Sequence, residues 1–292
     1  MPAQRQYATA GAFRTALEAR LNERARRDGV DLHRLRRQVA FDRLLARMFD
    51  PSQPVRDGWV LKGGYALEMR FHMARSTKDL DLTVTSAQGR VEDSTSLRER
   101  LQLAASIDLP DFFTFIVGEA MSELNQAPEG GARFPVDARL DGRTFVKFHV
   151  DLGIGDEVLE PLESVEGEDW LGFAGIPTVV VPALSVEQHW AEKFHAYTRP
   201  RQTPNSRVRD LVDLVLILEH ETPSTERVSA AVDATFRRRR THSAPAVAPP
   251  PPSGWARPFA ALAAECGLEL TPTTAHERVE AFWRHVLSQP TK

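Results

Sequence analysis

The most informative part of the chain reads Leu61-Lys62-Gly63-Gly64-Tyr65-Ala66-Leu67, and it is soon followed by Arg75-Ser76-Thr77-Lys78-Asp79-Leu80-Asp81-Leu82. The first segment ends a short apolar run in a glycine pair, and the second alternates carboxylates with leucines. Such alternation predicts a strand, in which residues two apart point to the same face. We therefore expect Asp79 and Asp81 to share one face, with Leu80 on the other.

These residue types suit the binding of a nucleotide and a metal ion. A glycine pair after a strand lets backbone N–H groups approach a phosphate, and Gly63 and Gly64 are predicted to open a helix, whose dipole favours an anion. Two neighbouring carboxylates repel each other, and a divalent cation such as Mg²⁺ or Mn²⁺ relieves that cost. A phosphate-binding turn followed by the pair Asp79 and Asp81 indicates nucleotidyl transfer from a nucleoside triphosphate (NTP).

Polar side chains flank both motifs. Lys62, Arg75 and Lys78 either neutralise the nearby carboxylates or bind phosphates of a triphosphate or an RNA. Ser76 and Thr77 could hydrogen-bond to a phosphate or to the water shell of the metal. The candidate nucleotide-binding set is therefore Lys62, Gly63, Gly64, Ser76, Thr77 and Lys78.

The composition is that of an ordinary soluble globular protein. With 292 residues, of which 42% are hydrophobic and 26% charged, the chain can form one large domain or two lobes. Its formal net charge of −3 gives no global signal for nucleic acid. A polyanionic partner would therefore have to be met by a local basic patch.

The sequence also favours a reducing compartment. The single cysteine, Cys266, cannot form an internal disulfide and is expected to be a small buried residue. No run approaches the roughly 18 apolar residues of a membrane span, and the first residues lack the apolar stretch of a signal peptide. We expect a cytoplasmic protein without a membrane segment, and a monomer by default.

Hydrophobic spacing predicts the elements of the first half. Apolar residues recur at helical spacing over residues 11–49 and again over 88–107. The dipeptide Asp141-Gly142 separates two alternating segments, 133–140 and 144–152, and predicts a hairpin. On the second strand, Asp151 is expected to share a face with His149, either as a functional acid or as a polar cap at the strand end.

The second half is predicted to be mainly helical. Residues 176–182 form a β-branched run bounded by prolines, which favours an edge strand. A helix is expected to begin at Ser185. Further helices are predicted at 210–221, 225–240, 254–266 and 274–287. The proline-rich residues 244–253 are expected to be a connector that needs no core.

Three motifs together resemble a known family. Gly-Gly, a spacer and Asp-x-Asp resemble the signature of the DNA polymerase β-like nucleotidyltransferase superfamily. The form of the two opening segments resembles AbiEii-type toxins, which include nucleotidyltransferase toxins of mycobacterial toxin–antitoxin pairs. Two later segments agree with this resemblance: Ala191-Glu192-Lys193-Phe194-His195-Ala196 and Arg207-Val208-Arg209-Asp210-Leu211-Val212-Asp213-Leu214.

The resemblance implies an α/β (α+β) fold with two lobes. Residues 1–184 would form a nucleotidyltransferase lobe with a mixed sheet and helices. Residues 185–292 would form a mainly helical C-terminal lobe, facing the first across a cleft.

The resemblance also implies roles for individual residues. Asp79 and Asp81 would bind the metal, and Asp151 would be a third, metal-binding acid that takes the proton of the attacking hydroxyl. Lys193 and Asp210 would be required for activity, with Asp213 in support. The alternative for Lys193 and Asp210 is a salt bridge that only ties two helices together.

By the same resemblance, the function is that of a toxin that adds nucleotides to the 3′ end of tRNA and so blocks aminoacylation and translation. A cognate antitoxin would be its partner, and phosphorylation of Thr77 would silence it. A basic loop would meet tRNA or simply be solvated; its arginines are Arg199, Arg201, Arg207 and Arg209. The alternatives are transfer to a protein or small molecule, and a nucleotide-binding regulator without turnover.

Overall fold

The structure is a computed structural model, and it describes residues 7–52, 58–71, 73–85, 93–124, 127–202 and 205–289. The strands are β1 (Trp59–Lys62), β2 (Asp79–Val84), β3 (Phe113–Val117), β4 (Ser122–Glu123), β5 (Gly131–Leu140), β6 (Arg143–Ile154), β7 (Glu163–Glu166) and β8 (Val180–Ala183). The helices of the same half are α1 (Ala10–Asp28), α2 (Leu32–Met48), α3 (Gly63–Arg70) and α4 (Ser94–Ala105).

The strands form one mixed sheet. Its order is β3-β5-β6-β2-β1-β8-β7, and β4 pairs with β5. β2 runs antiparallel to β1 and parallel to β6, so β2 lies near the middle of the sheet. The predicted strand over Asp79 and Asp81 is thus flanked on both sides, which explains why alternate residues Leu80 and Leu82 are fully buried.

The N-terminal helices cover one face of this sheet. α2 packs against β6, where the ring of Phe41 meets that of Phe148 at 4.9 Å between centroids. On β6, Phe148, Val150 and Leu152 are buried, whereas His149 and Asp151 alternate with them and are half-buried. The acidic residues therefore lie on the face opposite α2.

The single helix expected over residues 11–49 is wrong, because the structure has two. α1 ends at Asp28 and is capped by Gly29, which adopts a φ of 65° and donates its N–H to the carbonyl of Ala25. α2 then begins after Asp31, whose side chain accepts from the N–H of Arg34. A left-handed glycine followed by an N-cap aspartate breaks the helix, although the apolar spacing continues through the break.

Three further predictions concern the hairpin, the helix at 88–107 and the strand at 176–182. The hairpin at Asp141-Gly142 is present, and both residues have positive φ, 56° and 68°, as a type I′ turn requires. Of the helix expected at 88–107, residues 94–105 are helical, and 86–92 lie outside the described residues.

The expectation of an edge strand at 176–182 is wrong, because β8 lies between β1 and β7. Pro182 is tolerated there because β8 is only four residues long and has a single register pair with β1, Leu61 with Ala183.

The C-terminal half is helical, as expected. Its helices are α5 (Val186–Thr198), α6 (Val208–His220), α7 (Thr225–Arg239), α8 (Ala256–Glu265) and α9 (Pro272–Ser288). Ser185 caps α5 by accepting from the N–H of Gln188. α5 packs against α6 and α7, and α6 packs against α8 and α9. Cys266, which follows α8, is buried, and burial raises the pKa of its thiol to about 12.

The proline-rich connector is part of a core, contrary to expectation. Ala248 is 1% exposed and donates its N–H to Glu280 on α9 at 2.7 Å. The hydroxyl of Tyr197 donates to the carbonyl of Pro249, and the indole of Trp283 donates to that of Pro245. Proline has no N–H to donate, and carbonyls of this connector accept hydrogen bonds from buried side chains of α5 and α9.

The chain divides into two compact units. The first comprises Met1–Met69, Thr77–Gly155 and Ser164–Ala183, and contains the sheet except for the first residue of β7. The second comprises Arg70–Ser76, Asp156–Glu163 and Leu184–Lys292. The mixed sheet with helices and the helical C-terminal region confirm the predicted α/β fold class. Among the described residues, no helix is both long and apolar enough to cross a membrane.

Candidate active site

The glycine turn lies directly against an acidic side chain. Gly63 has a φ of 70° and is the first residue of α3. A Cβ added to Gly63 would lie 2.2 Å from Oδ2 of Asp81 and 2.7 Å from its Cβ. Only glycine therefore fits, both for its backbone conformation and for its space. The register pairs Lys62 with Asp81, so the basic residue, the turn and the carboxylate lie together.

The three predicted acids occupy one face of adjacent strands. Asp81 on β2 is paired with Asp151 on β6, and Asp79 is paired with His149. Paired residues of neighbouring strands place their side chains on the same side of a sheet. The predicted face of Asp79 and Asp81 is thus as expected, and Leu80 between them is buried on the other face.

An arginine that sequence reasoning missed binds two of these acids. Arg133 on β5 donates from Nε and Nη2 to both oxygens of Asp151, each at 2.7 Å, and from Nη2 to Oδ2 of Asp79 at 3.3 Å. His149 contacts the other oxygen of Asp79 through Nδ1, at 3.3 Å. The hydrogen bond with Asp151 raises the pKa of Arg133, so this guanidinium is permanently charged.

One of the three predicted metal ligands, Asp151, is engaged by Arg133. Both oxygens of Asp151 are taken up by Arg133. Within the described ranges, no group of three or more His, Cys, Asp or Glu side chains is close enough to hold a metal ion. The structure therefore brings Asp79, Asp81 and Asp151 to one face without gathering them into a three-carboxylate cluster.

The segment before Asp79 is fixed by a second missed residue, Glu68 on α3. Glu68 is buried, and it accepts hydrogen bonds from the backbone N–H of Thr77 and from the side chain of Gln38. The hydroxyl of Thr77 donates to the carbonyl of Asp79 at 3.3 Å, and Lys78 is exposed. Thr77 and Lys78 therefore sit beside the acidic pair with a rigid backbone. In the second unit, Ser76 donates its N–H to Glu265 at 3.1 Å.

The C-terminal unit contains its own buried charge cluster. Nζ of Lys193 lies 2.7 Å from Oδ2 of Asp213 and 3.5 Å from Oδ1 of Asp210. Arg75 donates to both oxygens of Asp213, at 2.8 and 2.7 Å. Asp213, which we expected to be a support residue, is therefore the closest partner of Lys193. Arg75 serves here to neutralise a carboxylate.

The pKa values of the two aspartates in this cluster are shifted in opposite directions. Burial acts to raise the pKa of Asp213, but Arg75 and Lys193 outweigh it and hold that pKa at about 2. Burial raises the pKa of Asp210, which Lys193 offsets only in part. Among the described residues, Oδ2 of Asp210 accepts no hydrogen bond, and Nη1 of Arg207 lies 3.8 Å away. Burial lowers the pKa of Lys193, but Asp213 and Asp210 produce a net rise, so the ammonium stays charged.

In the predicted basic loop, burial and neighbouring arginine charges lower the pKa of one of the arginines, Arg201. Burial lowers the pKa of Arg201, and the charges of Arg207 and Arg199 lower it further. Arg209 is exposed, and residues 203–204 lie outside the described residues. These four arginines thus provide a local positive potential within a chain whose net charge is −3.

Comparison with known proteins places this geometry in a family. The family described as "Nucleotidyl transferase AbiEii toxin, Type IV TA system" matches residues 43–284. MenT4, a nucleotidyltransferase toxin from Mycobacterium tuberculosis H37Rv, is similar in structure, with a TM-score of 0.62 and 18% identity over 94% of this chain and 90% of that one.

A second solved structure, JHP933 from Helicobacter pylori, aligns with a TM-score of 0.44 and 12% identity over 86% of this chain and 90% of that one. No curated protein matches the chain significantly. The family match spans the glycine turn, the acidic strands and the Lys193–Asp213 cluster, and it confirms the resemblance drawn from the motifs. The chain belongs to the AbiEii family of nucleotidyltransferase toxins of type IV toxin–antitoxin systems.

Proposed function

We propose that this nucleotidyltransferase transfers nucleotides from an NTP to the 3′ end of tRNA and thereby blocks aminoacylation and translation. The proposal rests above all on the contact between the glycine turn and Asp81, where a Cβ at Gly63 would lie 2.2 Å from the carboxylate. A backbone able to bind phosphate and an acid able to bind a cation occupy the same place, as transfer of a nucleotide requires.

The acidic pair suits a divalent cation. Asp79 and Asp81 supply two carboxylates on one face, and Mg²⁺ or Mn²⁺ commonly binds one or two carboxylates together with substrate phosphates. When bound, such an ion would neutralise negative charge on the phosphates and polarise them for attack. Asp151 fits this set less well than the resemblance implied, because Arg133 binds both of its oxygens at 2.7 Å. The contacts of Asp79 with Arg133 and His149 are longer, at 3.3 Å each. We therefore assign the cation to Asp79 and Asp81.

The protein's own groups would bind and orient the substrates. Backbone N–H groups of Gly63 and Gly64 hold phosphates of the NTP, with Lys62 next to them, and Lys78 and the hydroxyl of Ser76 are further phosphate donors. The hydroxyl of Thr77 would become a donor to phosphate by giving up its bond to the carbonyl of Asp79. Lys193 and Asp210 are proposed to be required for transfer. Support for both comes from their buried cluster, in which Lys193 is held as an ammonium and Asp210 keeps one oxygen without a hydrogen bond from the described residues.

The acceptor and the partner follow from the basic loop and the family. A tRNA acceptor needs a local positive surface in a chain of net negative charge, and Arg199, Arg201, Arg207 and Arg209 provide one. Membership of a type IV toxin–antitoxin family implies an antitoxin.

We further propose that modification of Thr77 silences the enzyme, because a phosphate so close to Asp79 would repel an incoming triphosphate. Co-expression with a kinase-like antitoxin should then add one phosphate at Thr77, seen by mass spectrometry, and none to the T77A variant. An unmodified Thr77 in fully neutralised toxin contradicts this part of the proposal.

Label transfer tests the proposed reaction. Each of the four labelled NTPs is incubated with the protein and with tRNA, total RNA or total protein as acceptor. We expect label on tRNA, release of pyrophosphate, and loss of both in D79N. D137N is the matched control, because Asp137 lies on β5 of the same sheet, two strands from β2, and is paired with Arg139. Label on protein alone would establish a protein acceptor, and nucleotide binding without pyrophosphate would establish a regulator.

A further inference from the structure

Four residues form a row across four neighbouring strands of the first unit. The register pairs Arg133 with Asp151, Asp151 with Asp81, and Asp81 with Lys62. Since directly paired residues project from the same face, the row places two carboxylates between two cations. Neighbouring strands are about 4.8 Å apart, so the backbones of Lys62 and Arg133, three strand spacings apart, are separated by about 14 Å.

The two cations have different surroundings. Lys62 immediately precedes the glycine turn. Arg133 is on the other side of the acids, fixed through Nε and Nη2 to Asp151, and its side chain is 35% exposed. Among the described residues, Nη1 of Arg133 donates to no group, so one edge of a rigidly held guanidinium is directed away from its protein partners. A fixed guanidinium with an unused edge is a good binding group for a phosphate oxygen.

The geometry of nucleotidyl transfer decides which phosphate this is. In a phosphoryl transfer the attacking and leaving oxygens are roughly in line, on opposite sides of the phosphorus. If the triphosphate is bound at the Gly63 turn, pyrophosphate leaves on the Lys62 side of the two acids in the row, Asp81 and Asp151. The attacking hydroxyl must then approach from the opposite side, where Arg133 lies.

We propose that Arg133 binds the last phosphodiester of the acceptor RNA, the one adjacent to the 3′-hydroxyl that attacks, and that Asp151 is the positioning residue that holds Arg133. The inference rests on the proposed function and extends it to the acceptor. It assigns to Asp151 a role other than the removal of a proton from the hydroxyl.

Steady-state kinetics with a short acceptor RNA separate the two substrates. In R133Q, the KM for RNA should rise about tenfold to a hundredfold, the scale of a lost hydrogen bond to a charged group, while the KM for NTP stays within about twofold. The salt dependence of the RNA KM should also weaken by about one phosphate contact. R139Q is the matched control, because Arg139 lies on the same strand and is paired with Asp137 at 2.8 Å; it should leave both constants unchanged.

A neutral linkage identifies the phosphate itself. An acceptor RNA with a methylphosphonate at its last linkage should raise the KM for the wild-type enzyme, yet cost R133Q nothing further. A methylphosphonate two linkages further from the 3′ end should affect both proteins equally. An equal cost of the terminal substitution in wild type and R133Q would overturn the inference. If R133Q does not fold, R133K, which retains the charge but not the two-point pairing with Asp151, takes its place in the comparison of the two modified RNAs.

Asp151 is tested by the division between KM and kcat. As a positioning residue, Asp151→Asn should raise the KM for RNA, and the double variant R133Q/D151N should be little worse than R133Q. A loss confined to kcat at saturating RNA, with an unchanged KM, would instead make Asp151 the base. Absence of any label transfer to RNA by the wild-type protein would defeat the proposed function, and this inference with it.

Discussion

Gly63 has the strictest steric requirement at the candidate site. Its φ of 70° admits other residues only with strain, and a Cβ there would overlap the carboxylate of Asp81. The size of residue 63 and the position of the Asp81 carboxylate are therefore linked. The sequence motif Gly-Gly has a physical meaning here that goes beyond the freedom of a turn.

We expect Gly63→Ala to abolish transfer by displacing Asp81, since the nearest atoms belong to the carboxylate and its own Cβ. Gly142→Ala is the matched control: its φ is 68°, and no heavy atom lies within 4 Å of the added Cβ. Both variants should lose about 1–2 kcal/mol of stability through backbone strain. Only G63A should lose activity, measured by label transfer at a temperature where both are folded. Equal activity in the two variants would show that contact with Asp81 is unimportant.

Asp210 and Asp213 lie three residues apart on α6, yet their substitutions should change stability in opposite directions. Since burial raises the pKa of Asp210, its ionised form at pH 7 destabilises the folded state, and D210N should melt at a higher temperature than wild type while losing transfer. D213N breaks buried pairs with Arg75 and Lys193, and should cost about 3 kcal/mol or more. Thermal melts and activity assays provide the test; a lower Tm for D210N would contradict it.

The pH dependence of stability should identify the contribution of Asp213. Its pKa of about 2 in the folded protein lies below the value near 3.9 of an unfolded chain. The stabilisation is therefore complete above about pH 4 and is lost as the pH falls towards 2. Denaturant titrations between pH 5 and pH 2 should show a steeper loss of stability for wild type than for D213N. Parallel curves would indicate that Asp213 is not held ionised.

At the scale of elements, the connector between α7 and α8 has a clear energetic role. Glu280 is 4% exposed and accepts the N–H of Ala248 at 2.7 Å and Nε of Arg284 at 2.8 Å. Glu280→Ala leaves the buried amide of Ala248 without its partner, and should lower stability by about 1–3 kcal/mol. Glu277 is exposed on the same helix, and E277A should change stability by less than about 0.5 kcal/mol. Chemical denaturation measures both, and equal effects would mean that the connector is not packed.

The elements also mark the limit of prediction from sequence. Alternation and turn residues were enough to predict the hairpin at Asp141-Gly142 and the acidic face of β2, because these signals are local. Counting back from that turn without a bulge pairs Arg133 with Val150. A register shift between Ala138 and Arg139 pairs it with Asp151 instead. No local signal reports that shift, so the Arg133–Asp151 contact could not be anticipated.

Other contacts were beyond prediction for a related reason. The arginine before the acidic motif, Arg75, has a partner, Asp213, that is distant in the sequence. Glu68 directly follows the Gly-Gly segment 61–67 in the sequence, but its bond to the backbone N–H of Thr77 depends on how the loop folds back on α3. Motifs thus identified most of the candidate residues, whereas their partners depend on long-range packing.

For the molecule as a whole, the question is how a chain with a net charge of −3 can bind a polyanion. At such a charge the net long-range force between the protein and a polyanion is weakly repulsive, so binding has to depend on local contacts with phosphates. The four arginines of the basic loop are the local source that we propose for tRNA. The affinity for tRNA should therefore depend much less on the net charge of the protein than on which surface arginines are removed.

Two double variants that each lower the net charge to −5 test this idea. R199Q/R209Q removes two charges from the basic loop, and R237Q/R240Q removes two exposed charges at the end of α7. We expect R199Q/R209Q to weaken tRNA binding at least tenfold and to reduce the slope of log K against log salt by nearly 2, because two phosphate contacts are lost. R237Q/R240Q should change affinity less than threefold, with the wild-type slope. Filter binding at several salt concentrations measures both. Equal losses in the two variants would mean that total charge, or the arginine run of α7, binds the RNA, and the basic loop would then lose its assigned role.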